Sequence, residues 1–352
     1  MKKIFFALAA VAAFASCSKV EAEYEQTGEI ALAPVPKNIT KSMIAGDGKG
    51  SDIAFPTSEE FNVWAWYKQL KAGTSISDWM SDEAVQQQYI KESTFKKKTN
   101  SESWGGKSSP YFWPKLGSLL FAGYYPTDIA ANVDYIFDAT TNKMVFSNIT
   151  QSEVSDDETS YNEDIMYFNM TASSSDKGPV AVVFKHALSW ITVNVKLQQM
   201  NPAPAKVQIN EIKFTKVNDK GTGTVNGIYP ITWETTGDDD AETVLGNNVI
   251  LTTTAKKLVE PLFIPQDMLG DLVINYTFYS NANEYVTETY TKALSDLKEG
   301  ISKWEPAKHY VYNIEIGFDE ILIDPMVTDW TEVEIPVVVE KEEVEQDEVE
   351  NN

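Results

Sequence analysis

Short runs in which apolar and polar residues alternate, broken by Gly, Pro, Asn and Ser, make up most of this chain, and stretches of helical periodicity are few. Alternation at period two marks strands with one buried face. It predicts strands at residues 61–67, 110–114, 118–126, 180–184, 190–197, 207–217, 249–251, 261–265, 272–280, 284–292 and 309–316. Within 207–217 the apolar side passes from Ile209 to Ile212 and Phe214, out of step by one residue, which predicts a bulge at Asn210 and Glu211. Residues 77–92 are suited to a short helix capped by Ser77 or Asp78. Gly221, Gly223 and Gly227 mark a glycine-rich turn, and loops are expected at 37–52, 152–163 and 173–178. Many short strands with close turn signals predict an all-β chain built of antiparallel β-sandwiches, with short helices in loops.

The two ends carry patterns of their own. Lys2 and Lys3 precede an apolar run at 4–15, and Ala15-Ser16 stands directly before Cys17, the chain's only cysteine. The run falls short of the ~20 residues that cross a bilayer as a helix. It predicts a lipoprotein signal peptide over 1–16, with Cys17 the acylated residue that tethers the chain to the outer membrane. Residues 17–28 read as a solvated leash. Residues 29–36 form a short apolar strand containing Pro34 and Pro36; proline cannot donate to a ladder, which predicts a place at a sheet edge. At the other end Val333, Ile335, Val337 and Val339 line one face at period two, and 340–352 is an acidic, disordered tail. Burying four such side chains is worth about 6–12 kcal/mol. This strand therefore pairs either within its own domain or in the groove of another molecule, by β-strand addition.

Composition removes several functions. The net charge of −23 repels phosphate, so no nucleic-acid partner is expected. No zinc spacing, serine elbow or regular calcium loop occurs, and the two histidines, His186 and His309, are far apart in sequence; no metal, cofactor or catalytic residue is predicted. All 29 basic residues are lysine, so a protease that cuts after arginine has no target.

Taken together, the lipobox at Cys17, the strand at 28–35, residues 61–66, Trp113-Pro114 with 121–126, 184–189, and Trp304 through Tyr310-Val311-Tyr312 to Trp330 resemble the fimbrillins. These are the lipoprotein-precursor subunits of type V pili in Bacteroidales. The resemblance implies two transthyretin-like β-sandwich domains, over 29–185 and 186–339. It further implies proteolytic removal of the first strand (Ile30, Leu32, Val35) and its replacement by a neighbouring subunit's carboxyl-terminal strand (Val333, Ile335, Val337, Val339). Its partners would be other pilin subunits and host or bacterial surface ligands. Lacking arginine, this chain offers Lys37 or Lys41 to a trypsin-like enzyme. The competing reading is a surface lipoprotein that binds glycans. Of Trp64, Trp66, Trp79, Trp104 and Trp113, the polar surroundings of Trp79 and Trp104 make them the better sugar-stacking candidates, whereas Trp64 and Trp66 are expected in the core.

Overall fold

The computed structural model describes residues 28–34, 55–129, 132–137, 142–150, 164–175, 178–200, 203–227, 229–237, 240–281, 283–317 and 321–329. In chain order its elements are β1 (Leu32–Pro34), β2 (Phe61–Lys68), helix α1 (Ile76–Ser81), β3 (Gln87–Lys97), β4 (Trp104–Gly106), β5 (Ser118–Tyr125), β6 (Asn132–Phe137), β7 (Asn142–Thr150), β8 (Met166–Ala172), β9 (Val180–Val182), β10 (Lys185–His186), β11 (Ser189–Leu197), β12 (Lys206–Thr215), β13 (Lys220–Asn226), β14 (Thr232–Thr235), β15 (Glu242–Ile250), β16 (Lys256–Val259), β17 (Leu262–Phe263), β18 (Asp271–Tyr279), β19 (Tyr285–Ala293), β20 (Lys308–Ile316) and β21 (Ile321–Asp329). The protein is nearly all β.

An eight-stranded sheet runs β10-β8-β5-β2-β3-β4-β1-β9. Its two end strands, β9 and β10, are joined by only Val183 and Phe184. Three extended steps span at most about 11 Å, so the sheet must curl until its ends approach. The alternation of β2 explains what it encloses. Phe61, Val63 and Ala65 point to one core, with Ile90, Phe95, Phe121, Phe168 and Phe184. Trp64 and Trp66 point the other way, into a second core shared with Phe146 and Val225. That second core is covered by a four-stranded sheet, β14-β13-β7-β6, which joins strands from early and late in the chain. Beyond it, β16-β11-β20-β21 (with β17 also on β11) and β15-β12-β18-β19 face each other as a sandwich. Ile191, Val193 and Ile314 meet Ile209, Phe214 and Ile274 in its core.

Several local expectations hold. β12 shifts register between Ile209 and Glu211, at the expected bulge. Others are corrected. The helix is shorter and earlier than the 77–92 window: Ser75 accepts from the Asp78 N–H and caps it, and β3 begins at Gln87. Residues 221–226 are not a turn but strand β13. A Cβ on Gly223 would meet Ile231 at 2.8 Å and the Trp233 ring at 3.0 Å, so glycine here makes room for a cross-strand side chain. Residues 110–114 form only a single bridge, Glu29 to Phe112, rather than a strand.

Candidate functional site: the seat of the first strand

Residues 28–34 do not lie at a sheet edge. On one side the Trp113 N–H donates to the Gly28 carbonyl (2.9 Å), the Ile30 N–H donates to Tyr111 O (2.7 Å), and Leu32 pairs with Trp104 of β4. On the other side the Val180 N–H donates to Ala31 O (2.8 Å), and Leu32, Ala33 and Pro34 run parallel to Val180, Ala181 and Val182 of β9. Alternation explains how proline is tolerated. Gly28 and Ile30 bond to Trp113 and Tyr111 on the side where Leu32 pairs with β4, so the nitrogen of Pro34 also faces that side, two residues past the one register pair that β4 makes with β1.

The side chains of Ile30 and Leu32 are 0% exposed. They belong to an aromatic core in which Phe55 sits edge-on to Phe61 (5.7 Å), Trp104 (5.7 Å) and Tyr125 (5.4 Å) and stacks on Phe184 (5.2 Å, 11°). The walls are fixed independently of β1. The Trp104 indole N–H donates to Glu59 O (2.9 Å), Tyr89 OH to Phe112 O (2.6 Å), and Tyr111 OH to Ser93 Oγ (2.9 Å). At the mouth Glu29 pairs with Lys98 (2.6 Å), whose chain runs across Gly105; a Cβ there would meet Lys98 Cε at 2.4 Å. With residues 28–34 removed, the seat would be an aromatic floor between two open strand edges, with the Trp113 and Val180 N–H groups left unpaired, each costing about 1–3 kcal/mol. As it stands, the arrangement holds an extended apolar segment, residues 28–34.

Of the residues marked in the sequence, Ile30 and Leu32 meet here. Cys17, Val35, Lys37, Lys41, Val333, Ile335, Val337 and Val339 lie outside the described residues. Trp104 and Trp113, with β9, were missed as parts of this seat. Trp104 follows a Ser-Glu-Ser run, and only the glycines after it hint at close packing. The expectation that Trp79 and Trp104 are surface platforms is overturned. Trp79 is 0% exposed, on the buried side of α1 beneath the Lys68 ammonium (4.4 Å), and burial lowers the pKa of that lysine. Trp104 covers the β1 seat. Trp64 and Trp66 are in the core as expected, and Trp113 is buried in the other core, around β1.

The two histidines serve packing. His186 Nδ1 meets Asp164 at 2.7 Å in a buried pair that ties β10 to the start of β8. His309 on β20 stacks on Trp190 (3.6 Å, 8°) and contacts Thr192 Oγ1 (2.9 Å); burial, and secondly Lys257, lower its pKa to about 4. Among the described residues no cluster of His, Cys, Asp or Glu is arranged to hold a metal ion, and no helix is long and apolar enough to cross a membrane.

A family model described as fimbrillin-like matches residues 62–330, which takes in strands β3 to β21 and all of β2 but its first residue. The chain belongs to the fimbrillin-like family. No curated protein matches this fimbrillin-like sequence significantly. Among solved structures it is similar to a fimbrial protein from Bacteroides vulgatus (17% identity, TM-score 0.57, covering 86% of this chain and 99% of that one). It is also similar to a candidate cell adhesion protein from Bacteroides uniformis (14% identity, TM-score 0.52, 86% and 99%). At these identities the likeness concerns the fold.

Proposed function

We propose that this fimbrillin-like chain is a cell-surface fimbrial subunit, exported as a lipoprotein through Cys17 and assembled by strand exchange rather than acting as an enzyme. In this reading a protease cuts at Lys37 or Lys41 and residues 29–36 leave. The vacated seat then takes Val333, Ile335, Val337 and Val339 of a neighbouring subunit. We read the chain as two domains, 29–185 carrying the seat and 186–339 ending in the donor strand. Membership in the fimbrillin-like family supports the reading, and one observation carries it: a short segment whose two fully buried aliphatic side chains lie over an aromatic floor. Its bonding on both flanks, in place of the sheet edge expected from the sequence, counts against the reading, because release must break both ladders.

The energetics favour exchange once the chain is cut. Ile30 and Leu32 together contribute about 3–6 kcal/mol of burial, Val35 lying outside the described residues; a donor that buries all four of its aliphatic side chains would gain about 6–12. Before the cut, the covalent link gives the first strand a high effective concentration at its seat; afterwards it competes as a free peptide. The test is limited trypsin digestion of the purified chain, followed by unheated gels. Cleavage near Lys37 with a heat-labile ladder is expected. Ile335→Asp with Val337→Asp should leave the cut intact and abolish the ladder. A persistent monomer from the cleaved parent chain, or a ladder unchanged by the double substitution, would overturn the mechanism.

A further inference from the structure

Away from the β1 seat, and sharing no residue with it, a cleft of about 830 Å³ lies between the β13–β14 hairpin and two segments of the carboxyl-terminal sandwich. This is within the ~300–1,000 Å³ of small-ligand sites. Its floor is a short antiparallel ladder. The Gln266 N–H donates to Trp304 O (3.1 Å), the Trp304 N–H returns to Gln266 O (2.9 Å), and the Met268 N–H donates to Ser302 O (2.8 Å). Asp267 and Lys303 are therefore a directly opposed pair that makes no ladder bonds of its own, the kind whose side chains stand closest. Both line the cleft, as does Glu305, whose carboxylate is 3.4 Å from Lys303 Nζ.

The wall is an aromatic ring held in place. Trp233 of β14 lies across Gly223 and Gly221 of β13, at 3.0 and 3.4 Å from where their Cβ atoms would be, and its indole N–H donates to Ala187 O (2.8 Å). The part of this half-buried ring that the hairpin leaves uncovered lines the cleft. The lip is equally fixed. Gly270 seats so closely on β12 that a Cβ would fall 1.7 Å from Thr215 O, and this holds Leu269 outward, 76% exposed. Tyr229, one residue before the lining Pro230, is 65% exposed beside the mouth.

This chemistry selects a ligand class. Lysines and carboxylates of the lining nearly balance, so a polyphosphate finds no excess of cations. A flat ring suits the C–H face of a pyranose, and carboxylates accept hydrogen bonds from neighbouring hydroxyls. We propose that the cleft binds a neutral oligosaccharide, with Trp233 as the stacking platform and Asp267 and Glu305 as acceptors for ring hydroxyls. The sugar-binding aromatic is thus a residue that the sequence pattern passed over, in place of Trp79 and Trp104.

The test is calorimetric titration of the purified, uncleaved chain with cellotetraose, maltotetraose, chitotetraose, mannotetraose and galactotetraose, each to about 10 mM. Saturation of at least one is expected. Asp267→Asn with Glu305→Gln should weaken it about tenfold at unchanged melting temperature, and Trp233→Ala should weaken it at least as much. Trp233→Tyr keeps a platform and should stay within about threefold of the parent. If Trp233→Ala fails to fold, the carboxylate variants decide. No binding by any tetrasaccharide, binding unchanged in the carboxylate variants, or binding of inorganic phosphate instead would each overturn the proposal. The result is independent of polymerisation, because it is read on the uncleaved chain.

Discussion

The first and last strands of the described chain are held in opposite ways. β1 is three residues long, flanked on both sides, and fixed by side chains: Ile30 and Leu32 are wholly buried in an aromatic core. β21 is nine residues long, paired along its whole length with β20 alone, and mostly half-exposed. Each contains a proline that removes a donor, Pro34 in one and Pro325 in the other. β21 makes up for it with ladder length and β1 with burial. A strand held by ladder bonds accepts almost any side chain, whereas one held by burial requires the right ones. That makes the position of β1 one that discriminates among segments, as the proposed exchange would need, although the sequence predicted an edge strand there.

The sharpest way to break this comparison is to remove the same side chain from both strands. Leu32→Ala should cost about 2–5 kcal/mol in urea unfolding, because it empties a fully buried position in the core that also holds Phe55, Phe61 and Trp104. Leu322→Ala on β21, where the leucine is 38% exposed, should stay within about 0.5 kcal/mol. Equal losses would mean that β1 is held by its few ladder bonds and that its side chains do not discriminate.

How much of this contrast the sequence revealed depends on whether one strand face or two are buried. β12, β18 and β20 alternate cleanly and were legible, bulge included, because one face meets the sandwich core and the other meets water. β3 was misread in part as helix: Gln87–Lys97 is polar on most positions, and only Ile90 and Phe95 are buried. β13 was misread as a turn because its glycines answer to the Trp233 ring, which lies ten residues beyond Gly223, rather than to local backbone geometry. The proline rule failed at β1 for a related reason. It restricts one side of one residue, and the sheet only had to stop pairing on that side. At the seat, Ile30 and Leu32 were visible as an apolar pair. Trp104, Trp113 and β9 were not, since nothing local tells a tryptophan after Ser-Glu-Ser that a distant strand will cover it.

Acid offers a second separation of the two ends, of middle size. His309 sits opposite Thr328 of β21, and its folded pKa is lowered to about 4 from an ordinary 6.5. Between these values the unfolded chain binds a proton that the folded chain refuses. The stabilisation is therefore complete above pH 6.5 and is lost as the pH falls toward 4, in all about 3 kcal/mol. His309→Gln should flatten unfolding stability across that window. Hydrogen exchange should show the β20–β21 amides loosening before the Val180 N–H at the β1 seat. If the seat opens first in acid, the carboxyl-terminal edge is not the weaker end.

The smallest effect tests whether charge contributes to the contrast at all. Glu29 and Lys98 close the mouth of the seat with partly covered side chains, whereas Lys308 and Asp329 pair at the open end of β21, where the aspartate is largely exposed. Solvent screens the second pair more, and each carries the entropy of ordering a lysine. Lys98→Met should lower stability by about 0.5–1 kcal/mol at low salt and Lys308→Met by less than about 0.5, both differences shrinking in ~1 M salt. In trypsin digestion Lys98→Met should also speed release of the cut first strand, because the Lys98 ammonium pairs with Glu29 of that strand. Release at the parent rate would leave burial of Ile30 and Leu32, with the ladder bonds to Tyr111, Trp113 and Val180, as what retains the strand, and charge with no share in the contrast.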